Sequence, residues 1–481
     1  MEDTKDNQTD IEVTDYDYKD INNLLKENNL SNYLNNESLK LGNILLTGPI
    51  GFLGIHILHE YLESYDGKAY CLLRSKGEMS ALNRLKSQLF YYFEEDYSSL
   101  VGKRIIIIDG DITKNLNIKN EYINDIDTII NCAAVVKHFS QGTEIEDVNI
   151  GGVKNLLDFA EKHKIKFIQV STASTIKAPL EEGAKIVEYA NENMLYINQI
   201  LNNKYVRSKF IAEREVLQRV SNKRVVAKIM RVGNLAPRDV DGEFQINFNT
   251  NSAMGRIKSF YMLGCVSYQQ LSKSIEFSPI DDVAKAILKL IETPKECVLF
   301  HPLNNHKVLY SDLFKVMNEN GLKVEACEPQ KFVKVLELAE NDSEKAKILT
   351  SMLAYKGSTI KPPHMPQADT EYTMQVLYRK NFEFSETSRD YISNFLNALK
   401  GRLDTTTSGL AEEEINKNLD GVSSMVFDFK KLDYISSAGL RLLLKYEKDY
   451  NQKGGLFIVN INDVIKEILS ITGFDKILKI K

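Results

Sequence analysis

The run Asn43-Ile44-Leu45-Leu46-Thr47-Gly48-Pro49-Ile50-Gly51-Phe52-Leu53-Gly54, continuing into Ile55-His56-Ile57-Leu58, constrains the fold of this chain more than any other stretch. A short apolar strand meets a turn with glycines at 48, 51 and 54 and passes into a helical pattern. Gly48 permits a sharp turn, Gly51 lets the backbone approach a pyrophosphate, and Gly54 allows helix and strand to pack closely. A pyrophosphate would sit on the free N–H groups of the helix start, where the helix dipole favours negative charge. The spacing is G-x-x-G-x-x-G instead of G-x-G-x-x-G, so the dinucleotide fingerprint is matched only in part.

The pattern around this turn predicts an α/β protein. Short, continuously apolar strands are expected near 43–47, 68–73, 104–109, 127–131, 166–171 and 224–230, with helical patterns between them. Such alternation indicates a doubly wound parallel sheet buried on both faces. We assign 41–235 to this nucleotide-binding, Rossmann-type domain. Longer helical segments at 252–264, 281–292, 310–319 and 329–339 then predict a helix-rich substrate lobe over 236–397. Alternation restarts near 400, so 398–481 is read as a small α/β domain. Residues 1–40, rich in Asp, Asn and Lys, are expected to be disordered or to fold loosely onto the next domain.

Composition narrows the function classes. A net charge of −5, without a basic stripe interleaved with aromatics, argues against nucleic acid as a partner. The five cysteines, at 71, 132, 265, 297 and 327, show no C-x-x-C spacing, and the seven histidines form no H-x-x-x-H pattern. A disulfide frame and a metal site are therefore not expected. The acidic start Met1-Glu2-Asp3-Thr4-Lys5-Asp6 lacks a secretion signal, and no apolar run is long enough to span a bilayer. A cytoplasmic protein without a membrane partner is the expectation.

The chemistry is predicted from Tyr205-Val206-Arg207-Ser208-Lys209. Tyr205 and Lys209 lie one helical turn apart and share a face. An ammonium near a phenol lowers its pKa and makes it a usable proton donor. Thr172, ending the strand Phe167-Ile168-Gln169-Val170-Ser171, would offer a hydroxyl to a reacting carbonyl oxygen. Strand ends beside the glycine turn are where open α/β sheets place their ligands.

Together with Gly110-Asp111-Ile112, Asn131-Cys132-Ala133-Ala134 and Ser171-Thr172, these residues resemble an extended short-chain dehydrogenase/reductase. Further segments resemble the thioester reductase domains of nonribosomal peptide and polyketide synthetases. They are Tyr70-Cys71-Leu72-Leu73-Arg74, Ala133-Ala134-Val135-Val136-Lys137-His138-Phe139, Val148-Asn149-Ile150, Arg231-Val232-Gly233-Asn234-Leu235, Asp241-Gly242-Glu243-Phe244-Gln245-Ile246-Asn247 and Ser278-Pro279-Ile280-Asp281-Asp282. The resemblance covers about 41–395. It implies NAD(P)H-dependent reduction of a carrier-bound or coenzyme A thioester to an aldehyde, which some members reduce again to an alcohol. Its implied catalytic residues are Thr172, Tyr205 and Lys209. Its implied cofactor residues are Thr47, Gly48, Ile50, Gly51, Phe52, Leu53, Gly54, Arg74, Arg84, Asp111, Ile112, Asn131, Ala133, Ala134, Asn149, Ser171, Gly233, Asn234 and Leu235, besides Tyr205 and Lys209. Gln245 and Asn247 fall to the substrate lobe. Arg74 stands where NAD enzymes keep an acid for the ribose 2′-hydroxyl, so NADPH is the expected cofactor. Pro49 replaces the small alanine usual in this loop and removes one N–H. With no carrier domain recognisable upstream, an acyl or peptidyl carrier protein in trans is the expected partner.

From about 398 the chain resembles the STAS fold of anti-sigma-factor antagonists, on Gly401-Arg402-Leu403-Asp404-Thr405-Thr406-Thr407, Phe427-Asp428-Phe429, Leu432-Asp433-Tyr434-Ile435-Ser436-Ser437-Ala438-Gly439-Leu440 and Gly473-Phe474. The resemblance implies a phosphorylated serine at Ser437 and an anti-sigma-type kinase as partner. Capping of the helix by Ser436 and Ser437 is the alternative. The first strand of the fold is short here, and 391–400 would have to supply it. Two other functions stay open: an NADP(H)-sensing regulatory protein with a non-catalytic reductase fold, and a nucleotide-sugar or sterol-type dehydrogenase.

Overall fold

The computed structural model describes residues 13–76, 80–93, 95–136, 142–245, 251–340, 364–400, 402–403, 408–419, 421–432, 434–435 and 437–481. Two compact units emerge, Met1–Val240 with Gln245–Thr387, and Asp241–Phe244 with Ser388–Lys481.

The first unit is built on seven strands: β1 (Ile44–Thr47), β2 (Ala69–Leu73), β3 (Ile105–Asp109), β4 (Thr128–Asn131), β5 (Lys166–Thr172), β6 (Ala227–Val232) and β7 (Leu299–Phe300). Their order across the sheet is β7-β6-β5-β4-β1-β2-β3, and every pairing is parallel. The direction of winding reverses between β1 and β4, and a crevice opens there at the carboxyl ends of the strands. The strands are continuously apolar because both faces are covered. Ile44, Leu46, Cys71 and Leu73 face one core, shared with helices α2 (Phe52–Ser64) and α5 (Ile280–Ile291). Leu45, Tyr70, Leu72 and Ile129 face the other, shared with α3 (Val153–His163) and α4 (Lys204–Ser221).

Two expectations need correction. The sheet layer does not end at 235: α5 packs on the face that holds α2, and β7 extends the sheet beside β6. A two-residue strand carries too short an apolar run to stand out. The N-terminal segment is also folded from Val13 onward. Helix α1 (Lys19–Lys26) buries Ile21 and Leu25, and Tyr18 stacks on Tyr196 at 5.0 Å. The few apolar residues of this polar segment, Val13, Tyr18, Ile21 and Leu25, all join one core. Asn28, just past α1, is 1% exposed. Its side chain donates to Leu299 O at 2.9 Å and accepts from the Val298 and Leu299 N–H groups at 2.9 and 3.3 Å. One amide thus satisfies the outer edge of β7.

The remainder of the first unit contains the expected helices, Ser252–Leu263, Tyr310–Glu319 and Pro329–Glu340. A parallel ribbon of Cys265–Ser267 with Glu325–Cys327 joins them.

The second unit has its own apolar core, including Leu403, Ile435, Leu443, Tyr446, Leu456, Ile458, Ile465 and Leu469. Parallel strands Met425–Asp428, Leu456–Val459 and Lys479–Ile480 form one sheet, and Arg402–Leu403 pairs with Tyr434–Ile435. Residues 391–400 do not supply the first strand. They lie in the helix Arg389–Lys400, whose buried Tyr391, Ile392, Phe395 and Leu396 follow a helical period. The segment Asp241–Phe244 belongs to this unit: a Cβ on Gly242 would come within 3.1 Å of Phe395 N, and Phe244 is buried.

Candidate active site

The glycine turn leaves β1 at the switch point. Gly48 has φ +66°, and a Cβ there would lie 2.8 Å from Ala133 N, so the turn rests directly on the backbone after β4. A side chain at Gly54 would run into the Gly48 carbonyl, which is why helix and turn approach so closely. Gly51 donates its N–H to Gly48 O at 3.0 Å. Extended, it opens α2 with no side-chain cap, leaving the first helical N–H groups to an anion. The uncapped N–H groups at the start of this helix, on a turn that close packing at 48 and 54 holds tight, fit a dinucleotide pyrophosphate. Leu53 points into the core, and Ile50 and Phe52 pack against it, so these three would meet a cofactor through their backbone.

A polar ladder crosses the strand ends. The Thr47 hydroxyl donates to Asn131 Oδ1 at 2.5 Å and accepts from Ala133 N–H at 3.3 Å. Asn131 Nδ2 donates to Gln169 Oε1 at 3.0 Å, and Gln169 Nε2 donates to Val170 O at 2.8 Å. Thr47 and Asn131, both expected to line the cofactor, are fully buried and tie the strand ends together.

Val170 O also accepts from Lys209 Nζ at 3.0 Å, which brings the ladder to the reactive residues. Asn203 caps α4 by accepting from Val206 N–H. Tyr205, Lys209 and Glu213 then follow at helical spacing on the face toward β5. The hydroxyl of Thr172, buried at the end of β5, is hydrogen-bonded to the Tyr205 phenol. The three residues assigned to catalysis are thus brought together. Their electrostatics differ from expectation. Burial pushes the phenol up to about 12 against the lowering pull of Thr172. Burial also pushes Lys209 down to about 8, opposed by the Glu213 carboxylate. The Lys209 ammonium donates to the Val170 carbonyl, and the Thr172 hydrogen bond eases ionisation of the phenol.

Several predicted cofactor residues have structural partners. The Ser171 hydroxyl donates to Glu213 Oε1 at 2.5 Å. Asn149, in a π-helical turn over Asp147–Gly152, bridges both Val135 backbone groups and donates to the Ser208 hydroxyl at 2.9 Å. It fixes the segment after Ala134, which lies half-buried with Ala133 beside the glycine turn. Asn234 donates its N–H to Glu276 at 3.0 Å, and its side chain donates to Glu276 O at 3.1 Å. The absence of a side chain at Gly233 makes room for the Glu276 carboxylate. Burial raises that carboxyl above the usual range. Leu235 pairs with Ser278 in a short parallel bridge.

At the adenine end, Arg74 is exposed and donates to Asp111 Oδ2 at 3.1 Å, while Arg84 donates to the Arg74 carbonyl. Asp111 is held below the usual carboxylate range: burial would raise it, but hydrogen bonds from Thr113 and Arg74 outweigh that. Ile112 is a core residue against Gly152. Gln245 is half-buried, and Asn247 lies outside the described residues. Among the described residues no group of three or more His, Cys, Asp and Glu could hold a metal ion. None of their helices is long and apolar enough to cross a membrane.

Sequence reasoning missed Glu213, Arg231 and Glu276. Glu213 and Arg231 form an ion pair at 2.7 Å with both side chains fully buried. The available signal was the eight-residue spacing from Tyr205 to Glu213, which continues the reactive face by one more turn.

Residues 46–287 match the Male sterility protein family of NAD-binding domains, and 393–481 match the STAS domain. A thiolation-reductase di-domain from an archaeal non-ribosomal peptide synthetase superposes with a TM-score of 0.75. It shares 38% identity, with 82% of each chain covered. A linear gramicidin synthase chain of Brevibacillus parabrevis is 25% identical over 375 residues, 75% of this chain. L-2-aminoadipate reductase of Saccharomyces cerevisiae is 25% identical over 335 residues, 65% of this chain. The matches span only 7% and 23% of those two proteins. A parallel sheet with a glycine turn at its switch point, a Thr-Tyr-Lys cluster beside it and these matches lead to one assignment: the chain belongs to the Male sterility protein family of NAD-binding reductases and carries a C-terminal STAS domain.

Proposed function

We propose that this chain reduces an acyl or peptidyl thioester to an aldehyde with NADPH, receiving it from a separate carrier protein or from coenzyme A. The observation that carries the reading is the Thr172–Tyr205 hydrogen bond at the end of β5, with Lys209 one helical turn along. The match to a thiolation-reductase di-domain across most of both chains supports the thioester class.

When bound, a nicotinamide cofactor supplies the hydride. Tyr205 Oη keeps its proton through neutrality and donates it to the substrate carbonyl oxygen as negative charge builds there. Thr172 Oγ1 offers the second hydrogen bond to that oxygen. Lys209, charged below about 8, adds a positive field at the same place. The thiohemiacetal so formed loses its thiol to give the aldehyde. Gly48, Gly51 and Gly54 hold the pyrophosphate, and Arg74 takes the 2′-phosphate of NADPH. The test is NADPH consumption with acyl-coenzyme A and acyl-carrier thioesters, with the products read by mass spectrometry. Release of an aldehyde supports the reading. NADPH binding without turnover on either substrate overturns it in favour of a sensor.

The STAS unit would dock a partner. Ser437 opens the helix Ser437–Tyr450, where a phosphate would be favoured by the helix dipole and felt by a partner as added charge. Mass spectrometry of the chain isolated from cells tests this. An unmodified Ser437 under all growth conditions sinks the switch.

A further inference from the structure

The proton chemistry assigned to Thr172, Tyr205 and Lys209 leaves a second buried polar cluster unused directly behind it. Glu213 lies one turn beyond Lys209 on α4 and is 0% exposed. Its carboxylate accepts from Ser171 Oγ at 2.5 Å and from Thr175 Oγ1 at 3.3 Å, one residue before and three residues after Thr172. Thr175 Oγ1 also lies 2.9 Å from Thr172 O, so the turn after β5 closes on itself against the same carboxylate. From the far side, Arg231 on β6 donates Nε at 3.1 Å to each oxygen and Nη2 at 2.7 Å to Oε2. Arg231 is itself fixed, donating Nη1 to Met194 O at 3.0 Å and lying 3.3 Å from His301 Nε2.

A buried ion pair is a poor source of stability, because desolvating two charges costs about as much as their attraction returns. Its value here is geometric. Two hydroxyls, one guanidinium and one carboxylate lock the Thr172 turn, α4 and β6 together. We propose that Glu213 is a positioning residue, clamping the Ser171–Thr175 turn onto the Tyr205/Lys209 face of α4. The inference rests on the catalytic reading of Thr172, Tyr205 and Lys209 given above.

The groups acting on Lys209 are few. Burial opposes the ammonium and Glu213 on its own helix favours it, while Cys132 beyond β4 is held as a neutral thiol by its own burial. Arg231 is paired with Glu213 and is not among them. If the ammonium is required, activity falls as pH rises through about 8, where Lys209 loses its proton. Removing the Glu213 charge lowers the Lys209 pKa, so that fall must begin at lower pH.

The experiment measures kcat against pH for the full chain and four variants, on an acyl-coenzyme A that the parent reduces, with NADPH affinity read separately by its fluorescence. Glu213→Gln should lower kcat roughly 10- to 100-fold, the scale of a misplaced catalytic group. Its high-pH fall should move down by about 1 unit, the low end of what a neighbouring charge does. NADPH affinity should stay within a few-fold. If the single variant does not fold, because Arg231 is left alone, Glu213→Gln with Arg231→Gln removes both charges and must show the same displaced profile. Ser171→Ala keeps the ion pair and cuts one arm of the clamp, so it should lower kcat with the profile in place. A folded Glu213 variant with the parent's kcat and pH profile overturns the proposal, as does a Ser171→Ala enzyme identical to the parent. Tyr205→Phe is the control: full activity there would mean that the catalytic reading itself had failed.

Discussion

Tyr205 holds its proton firmly, since burial pushes the phenol up to about 12. That suits a donor in a reduction better than a base, and the hydrogen bond from Thr172 prepares the phenol to give the proton up. Tyr205→Phe should therefore lower kcat by about 10²–10³, the usual cost of one donor to a developing oxyanion. NADPH affinity measured by fluorescence should barely move, because the phenol acts on the carbonyl. Activity within a few-fold of the parent would remove Tyr205 from the mechanism. Arg74 makes a different kind of contribution. It is 69% exposed and already paired with Asp111, so a 2′-phosphate must share it with that carboxylate. Arg74→Ala should weaken NADPH by about tenfold, the worth of a charged hydrogen bond of ~1.5 kcal/mol, and should leave NADH unchanged. Equal losses for both cofactors would make Arg74 a structural residue.

At the scale of elements, the glycine turn allows little freedom. Gly48→Ala would place a side chain at φ +66°, which costs roughly 1–2 kcal/mol, and would drive it into Ala133 N. A fall in melting temperature with loss of cofactor binding is the expected outcome. Normal binding would show that the turn can rearrange. This turn was legible in the sequence because its glycines are spaced by backbone geometry alone. The six long strands were legible too, since strands buried on both faces must be continuously apolar. Thr172, Tyr205 and Lys209 were readable because strand end and helical spacing are local patterns. What stayed hidden depends on partners far along the chain. Nothing near Glu213 marks it as the mate of Arg231, 18 residues away on another element. Nothing near Asn234 points to Glu276, 42 residues on. The two-residue β7 and the N-terminal helix hid for the same reason: each is defined by what it covers.

For the whole molecule, the division of the chain into two units sets where it can be cut. The STAS core is made of residues from Leu403 onward, while the helix Arg389–Lys400 packs against Asp241–Phe244. Removing 401–481 should leave a folded protein with kcat/KM on a small thioester close to that of the full chain. Removing 388–481 takes the helix Arg389–Lys400 as well and should expose Phe244, which is buried within that unit, and lower the melting temperature. Circular dichroism and steady-state rates on both truncations test this. Unfolding of the shorter deletion would make the STAS unit part of the reductase core. The amide of Asn28 bears on how the molecule is made. Its backbone partners at Val298 and Leu299 are 270 and 271 residues further along the chain. During synthesis from the amino end, this residue leaves the ribosome long before its mates, which emerge only once most of the sheet already exists. Until then β6 is the outermost strand and its edge lies open, in the form most prone to join a neighbouring nascent chain. The latch therefore closes late, and the interval before it closes is when this protein is most exposed to aggregation.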